Sequence, residues 1–336
     1  MRGSVFGYTL TSISEQGERN IKARDLDVVE LWSGVGNVCG SAAKTGFSSK
    51  GFDRDRVPGV TDGITAESEN ILTRAGFENA LSLVLRVRPG GLLWMAPVCS
   101  SFSWLNLKNT QRRLENDYKG NVKYGPVQEG NKMADTAALF AKVALGRGCQ
   151  VVIENPPGSS IWKYYGPKFM RNLPHQAICS RCAYAQKGES GGLWKQYKFY
   201  GSHPWVLNLN RLCECPANSH KRLTSKDVDA FGKVSVTGIA PRLTESAHYL
   251  PAMTDQVIAH WSAQTPAGRT DINPSKKRSR SPTCEQNDRP QHSWQVLELP
   301  ATDGPRSSVT DAPRSVRPRP SVGAAATDNS WKFLRL

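Results

Sequence analysis

Three short apolar runs, each followed at once by turn-forming or reactive residues, set the pattern of this chain. Leu26 to Leu31 leads into Trp32-Ser33-Gly34-Val35-Gly36, and Leu92-Leu93-Trp94-Met95-Ala96 leads into Pro97-Val98-Cys99. Val151-Val152-Ile153 leads into Glu154-Asn155-Pro156-Pro157-Gly158. Apolar runs this short, bounded by Gly and Pro, predict buried strands rather than helices. Between them the spacing changes to that of helices. It predicts a helix over 38–45, a short strand over 48–52, and a helix over 69–87 carrying Ile71, Leu72, Ala75, Ala80, Leu81, Val84 and Leu85. Gly76 weighs against one unbroken helix there, and Pro89-Gly90-Gly91 is expected to stop it. An amphipathic helix over 133–147, ended by Gly148, precedes a strand at 150–153. This alternation predicts a doubly wound, mainly parallel α/β sheet. In such sheets ligands collect at the carboxyl ends of the strands, where the turns above fall.

The intervening segments predict the remaining organisation. Residues 1–25 are expected to form a polar lead-in, and 26–160 the core of the α/β sheet. Residues 104–127 are a long polar loop with Lys108, Arg112, Arg113, Lys119 and Lys123, suited to a basic flap over a substrate. Residues 161–243, rich in Trp, Tyr, Lys and Cys, are expected to form a small substrate-reading region. A closing helix is expected within 244–263, with Val257, Ile258 and Trp261 on one side. Residues 264–336 turn to Pro, Ser, Arg and Thr with few aliphatics, the composition of a disordered tail.

The 336 residues suffice for one large α/β domain with additions. A formal charge of +15 favours a polyanionic partner, nucleic acid first. No apolar run approaches the ~18 residues of a membrane span, and the first residues lack a secretory pattern. The eight cysteines are then expected to be reduced thiols, metal ligands or catalysts in an intracellular compartment. Pro274-Ser275-Lys276-Lys277-Arg278-Ser279-Arg280-Ser281-Pro282 reads as a nuclear-import patch or a nucleic-acid tether, which favours the nucleus.

The combination of motifs resembles the C5-cytosine methyltransferases, S-adenosylmethionine-dependent enzymes of the Rossmann-like class. The resemblance covers residues 26–160, with a weaker echo near 245–262. Glu30-Leu31-Trp32-Ser33-Gly34-Val35-Gly36 is similar to the family's first motif, acid-Leu-Phe-x-Gly-x-Gly. Asp53 falls where the family holds the ribose, Arg54 where a residue often lies over the adenine, and Asp62-Gly63-Ile64-Thr65 resembles its Asp-Ile-Thr with a glycine inserted. Pro97-Val98-Cys99-Ser100-Ser101-Phe102-Ser103 resembles Pro-Cys-Gln-x-Phe-Ser, and Glu154-Asn155-Pro156 resembles Glu-Asn-Val. The resemblance implies that Trp32, Ser33, Gly34, Gly36, Asp53, Arg54, Asp62 and Pro97 contact S-adenosylmethionine. It implies that Cys99 adds to C6 of cytosine, making C5 nucleophilic towards the methyl group, while Glu154 holds the N3/N4 edge and Asn155 positions the acid. A duplex base must leave the stack to reach such a pocket, and DNA is expected before RNA, with the enzyme acting as a monomer.

The sequence departs from the family at Val98 and Ser100, and it lacks Gln-x-Arg-x-Arg; the nearest segment, Trp194-Lys195-Gln196-Tyr197-Lys198-Phe199, carries lysines. A catalytically silent nucleic-acid-binding module is therefore a rival reading. Another is an amino-group methyltransferase using Asn155-Pro156-Pro157, although Gly158 stands where that loop has an aromatic ring. Separately, Cys179, Cys182, Cys213, Cys215 and His220 offer soft ligands for a structural zinc ion.

Overall fold

The computed structural model describes residues 23–54, 68–185, 192–216 and 219–264. The expected lead-in, the Asp62-Gly63-Ile64-Thr65 stretch, the 274–282 basic patch and the tail lie outside these, apart from the last residues of the lead-in.

A six-stranded sheet organises the described chain, in the order β2-β1-β3-β4-β6-β5. Its strands are β1 (Leu26–Leu31), β2 (Ser49–Phe52), β3 (Val87–Met95), β4 (Gln150–Asn155), β5 (His175–Ser180) and β6 (Gln196–Gly201). The first four pair in parallel, and β6 runs antiparallel to both β4 and β5. Helices cover both faces, which is why the central strands are apolar at nearly every position rather than alternating. On one face α2 (Arg74–Arg86), α3 (Gly125–Gly146) and α4 (Ile161–Met170) pack on Val29, Leu31, Leu93, Met95, Val151 and Ile153. On the other, α1 (Asn37–Lys44), α6 (Pro251–Ser262) and the turn Pro204–Leu209 pack on Val28, Leu92, Trp94 and Val152. The fold is thus the expected mixed α/β, doubly wound, mainly parallel sheet.

The boundaries differ from expectation in ways that physics explains. Thr73 caps α2 by accepting the Gly76 N–H at 3.1 Å, and a side chain on Gly76 would strike the Asn70 carbonyl. Gly76 therefore starts the helix instead of interrupting it. Pro89-Gly90-Gly91 is a bulge inside β3, where the register against β1 shifts between Leu26 and Val28. The segment expected to begin a separate region at residue 161 instead supplies β5 and β6, so the main sheet continues through it. Beyond it, β7 (Thr224–Val228) and β8 (Val234–Gly238) form an exposed hairpin. The expected closing helix is two: α5 (Ala240–Ala247) and α6, broken at His248-Tyr249-Leu250 before Pro251. That break inserts the buried Tyr249 beneath the carboxyl end of the sheet.

Candidate functional site

The parallel strands deliver their following loops to one edge. Strand order reverses between β1 and β3, and a crevice opens there, as expected for a sheet of this kind. After β1 the chain turns sharply. Trp32, Gly34 and Gly36 all take positive φ, at 56°, 54° and 74°. Glycine adopts this at little cost, whereas Trp32 is strained by it. The turn is pinned by Ser33 N–H to the Phe52 carbonyl at 3.2 Å and by Gly34 N–H to Asp53 Oδ2 at 2.8 Å.

A cleft of about 180 Å³ lies against this turn, lined among others by Trp32, Asp53, Arg54, Ile71, Val98, Ser100 and Met133. Trp32, Asp53 and Arg54 thus line it as expected, while Ser33, Gly34 and Gly36 shape the turn behind its wall. The buried Trp32 indole N–H has no acceptor among the described residues. Sequence reasoning missed Glu69 to Leu72, which line the cleft just ahead of α2; nothing in their pattern marks them.

The end of α1 is filled from within. Gly36 offers no side-chain cap, and the buried Glu30 takes that role by accepting the Cys39 N–H at 3.0 Å. Burial pushes the Glu30 carboxyl up to about 7, against the pull of the Cys39 and Val38 amides. A carboxyl already sits where other Rossmann-type folds receive a pyrophosphate.

Cys99 stands on the loop after β3, half-buried, with its carbonyl accepting the Phe102 N–H at 3.0 Å. One strand over, Glu154 and Asn155 end β4. The Asn155 amide donates to the Pro97 carbonyl at 2.7 Å, fastening the cysteine loop to β4. Pro97 is thereby a strut between the two loops and is not among the residues lining the cleft. Glu154 is buried; Oε2 accepts the Tyr249 hydroxyl at 2.9 Å, and Oε1 has no partner among the described residues. Trp94 donates its indole N–H to Tyr249 at 3.3 Å, completing a buried relay.

Burial pushes both the Cys99 thiol and the Glu154 carboxyl up. Lys195 draws both back down, while the Glu154 charge raises Cys99 further. Cys99, Glu154 and Lys195 therefore share one electrostatic environment. The lysine segment is also tied to the acid structurally, since β6 pairs Phe199 with Glu154 and Lys198 with Asn155.

Of the basic loop, Lys108, Arg113, Lys119 and Lys123 are exposed, but Arg112 is not available to a substrate. Its guanidinium donates to the Ser101 carbonyl at 2.8 Å, Ser101 Oγ at 3.0 Å, the Tyr118 carbonyl at 2.8 Å and Asn131 Oδ1 at 2.7 Å. It also lies 3.7 Å over the Phe102 ring. Arg112 thus knits the loop after Cys99 to the start of α3, a role that composition alone hides.

Cys182, Cys213, Cys215 and His220 gather with their ligand atoms all within 4.8 Å of one another. Cys179 is a correction to the expected set. It belongs to β5, and its fully buried thiol packs in the core with Ala177, Tyr197 and Phe199. Strand alternation turns it inward, and its thiol is not among the four gathered ligand atoms.

No family model matches this chain, and no curated protein matches it. Among solved structures, the chain is similar to the crystal structure of the S. pombe Dnmt2 methyltransferase, with 14% identity over 53% of this chain and a TM-score of 0.32. The similar region spans 50% of that methyltransferase, about half its length.

Proposed function

We infer that the chain transfers a methyl group from S-adenosylmethionine to C5 of cytosine in nucleic acid, with DNA favoured over RNA. The observation that carries this reading is the pairing of Cys99 and Glu154. Cys99 stands on the loop after β3 and Glu154 at the end of β4, joined by the Asn155–Pro97 hydrogen bond, beside a cleft at the switch point of the sheet.

The residues of the cleft fit a nucleoside cofactor that carries no phosphate. Glu30 fills the helix end that a pyrophosphate would need, and the cleft is lined by Trp32, Asp53 and apolar side chains instead. Trp32, Asp53 and Arg54 would hold the cofactor, which supplies an electrophilic methyl on a sulfonium. Cys99, as thiolate, forms a bond to C6 of the base. The electron pair moves to C5, which takes the methyl group as the S–CH3 bond breaks and leaves a neutral thioether; transfer of the C5 proton to solvent then expels the thiolate and restores the ring. Lys195 favours that thiolate against the effects of burial and of the Glu154 charge. Glu154, raised by burial and held by Tyr249, is suited to sharing a proton with N3 as negative charge develops there. The exposed Lys108, Arg113, Lys119 and Lys123 and the charge of +15 suit a polyanionic substrate.

The Asn155 NH2 donates to the Pro97 carbonyl while its buried Oδ1 has no partner among the described residues, so the position of the label, rather than this contact, separates C5 transfer from amino-group transfer. The test is transfer of label from radiolabelled S-adenosylmethionine to DNA or to RNA by the full chain and by Cys99→Ala. Label in 5-methylcytosine that requires Cys99 is the expected result. Cofactor binding without transfer to any nucleic acid would instead support a binding module, and label on an amino nitrogen indifferent to Cys99 would overturn the C5 chemistry.

A further inference from the structure

We propose that Cys182, Cys213, Cys215 and His220 hold one tetrahedral zinc ion, and that this ion locks the segment leading into β6, the strand paired with Glu154 and Asn155, and so fixes Lys195 at its entrance. The metal site stands on its own geometry; only the purpose assigned to Lys195 rests on the methyl-transfer reading.

Zinc bonds of about 2.3 Å to sulfur and 2.0–2.1 Å to nitrogen put tetrahedral ligands about 3.5–3.8 Å apart. The four ligand atoms lie within 4.8 Å of one another, and Cys213 Sγ is 3.1 Å from His220 Nε2, so small side-chain rotations suffice. The imidazole is already oriented. His220 Nδ1 is 3.2 Å from the Gly192 carbonyl, which fixes the proton there and leaves the Nε2 lone pair facing the thiols. The Cys215 N–H points at Cys213 Sγ from 3.3 Å, a donor suited to a thiolate. Three thiolates and one imidazole close a tetrahedron without an open position, the donor set of a structural zinc rather than of a hard cation. Binding releases the three thiol protons.

The ligands flank Lys195 from both sides. Arg181, next to Cys182, donates its N–H to the Lys195 carbonyl at 2.9 Å. Lys221, next to His220, accepts the Trp194 N–H at 3.0 Å, and the Trp194 ring packs on His220 at 5.1 Å. These bonds join short connections rather than long helices or strands, so a cross-link between residues 182 and 213–220 is what would hold them in register.

Metal analysis of the purified full chain should find one zinc per molecule. Cobalt replacement should give the intense visible bands of a tetrahedral thiolate site. Cys179→Ser should keep the metal, and Cys213→Ser or His220→Ala should lose it. Alkylation of Cys99, followed by peptide mass spectrometry, reads the second half of the proposal. Removing zinc should slow it severalfold in the wild-type chain and leave it unchanged in Lys195→Ala. Substoichiometric zinc, an octahedral cobalt spectrum, or a disulfide among the three cysteines would overturn the site. A Cys99 rate indifferent to zinc would overturn the link to Lys195. Neither result depends on whether methyl transfer occurs, so failure here is distinct from failure of the enzymatic reading.

Discussion

Replacing Glu30 by Gln removes a buried carboxyl that caps α1 from inside the protein, and it should change how stability depends on pH. Glu30 is 1% exposed, and burial raises its carboxyl from 4.5 to about 7. Two effects compete. The N-terminal end of a helix favours a negative charge by about 0.3–2 kcal/mol, but desolvation costs more. A carboxyl held at about 7 in the folded chain and near 4.5 in the unfolded chain binds more proton when folded. Its contribution is therefore full below about pH 4.5 and is lost as pH rises through 7. At about 1.4 kcal/mol per pH unit, the loss across that window is about 3 kcal/mol. Gln cannot ionise, although its amide group is a poorer match to the N–H donors of α1 and should cost about 1–2 kcal/mol. Urea unfolding of both proteins from pH 5 to 8 measures the difference directly. The variant should start less stable and gain on the wild type by about 3 kcal/mol as pH rises. A difference that stays constant, or that moves in favour of Glu30 with rising pH, would refute the claim that desolvation outweighs the helix end.

Three further outcomes are expected. Tyr249→Phe strips Glu154 of its hydroxyl donor and Trp94 of its acceptor, so it should lower stability by about 1–3 kcal/mol and leave more of Glu154 protonated at a given pH; thermal denaturation checks the first part and a carboxyl NMR titration the second. Arg112→Lys keeps the charge but cannot reproduce a fork that reaches Ser101, Tyr118 and Asn131, so it should destabilise the chain and make the loop after Cys99 a preferred site of proteolysis. Alkylation of Cys99 should be slow at neutral pH and accelerate towards alkaline pH, because burial raises the thiol; Lys195→Ala should move that rise to higher pH, and an unchanged profile would show that Lys195 does not reach it.

The legible parts of this chain are those whose physics is local. The runs 26–31, 92–95 and 151–153 are apolar at nearly every position because both sheet faces are covered, and their ends in Gly-x-Gly, Cys99 and Glu154-Asn155 could be read directly. Asp53 was legible for the same reason, since a short strand leads straight into it. Contacts between distant segments were not. Tyr249 reaches Glu154 across 95 positions, and what places it is a helix break that a periodicity count smooths over. Arg112 looks like one more cation in a basic loop until its acceptors at residues 101, 118 and 131 are assembled around it. Lys195 is the sharpest case. No fixed arginine pattern stands near residue 195, yet β6 enters the sheet antiparallel beside β4, pairing Phe199 with Glu154, and the Lys195 that precedes it lies close enough for its charge to act on the acid. The field at Glu154 depends on where a positive charge stands, not on the motif that delivers it. A lysine serves that field when its backbone is fixed, as the Arg181 and Lys221 hydrogen bonds fix this segment, whereas a bidentate grip on a carboxylate would need arginine. The absence of the arginine motif therefore predicts a different geometry at Glu154, and the response of Cys99 alkylation to Lys195→Ala is the measurement that separates a relocated cation from a lost one.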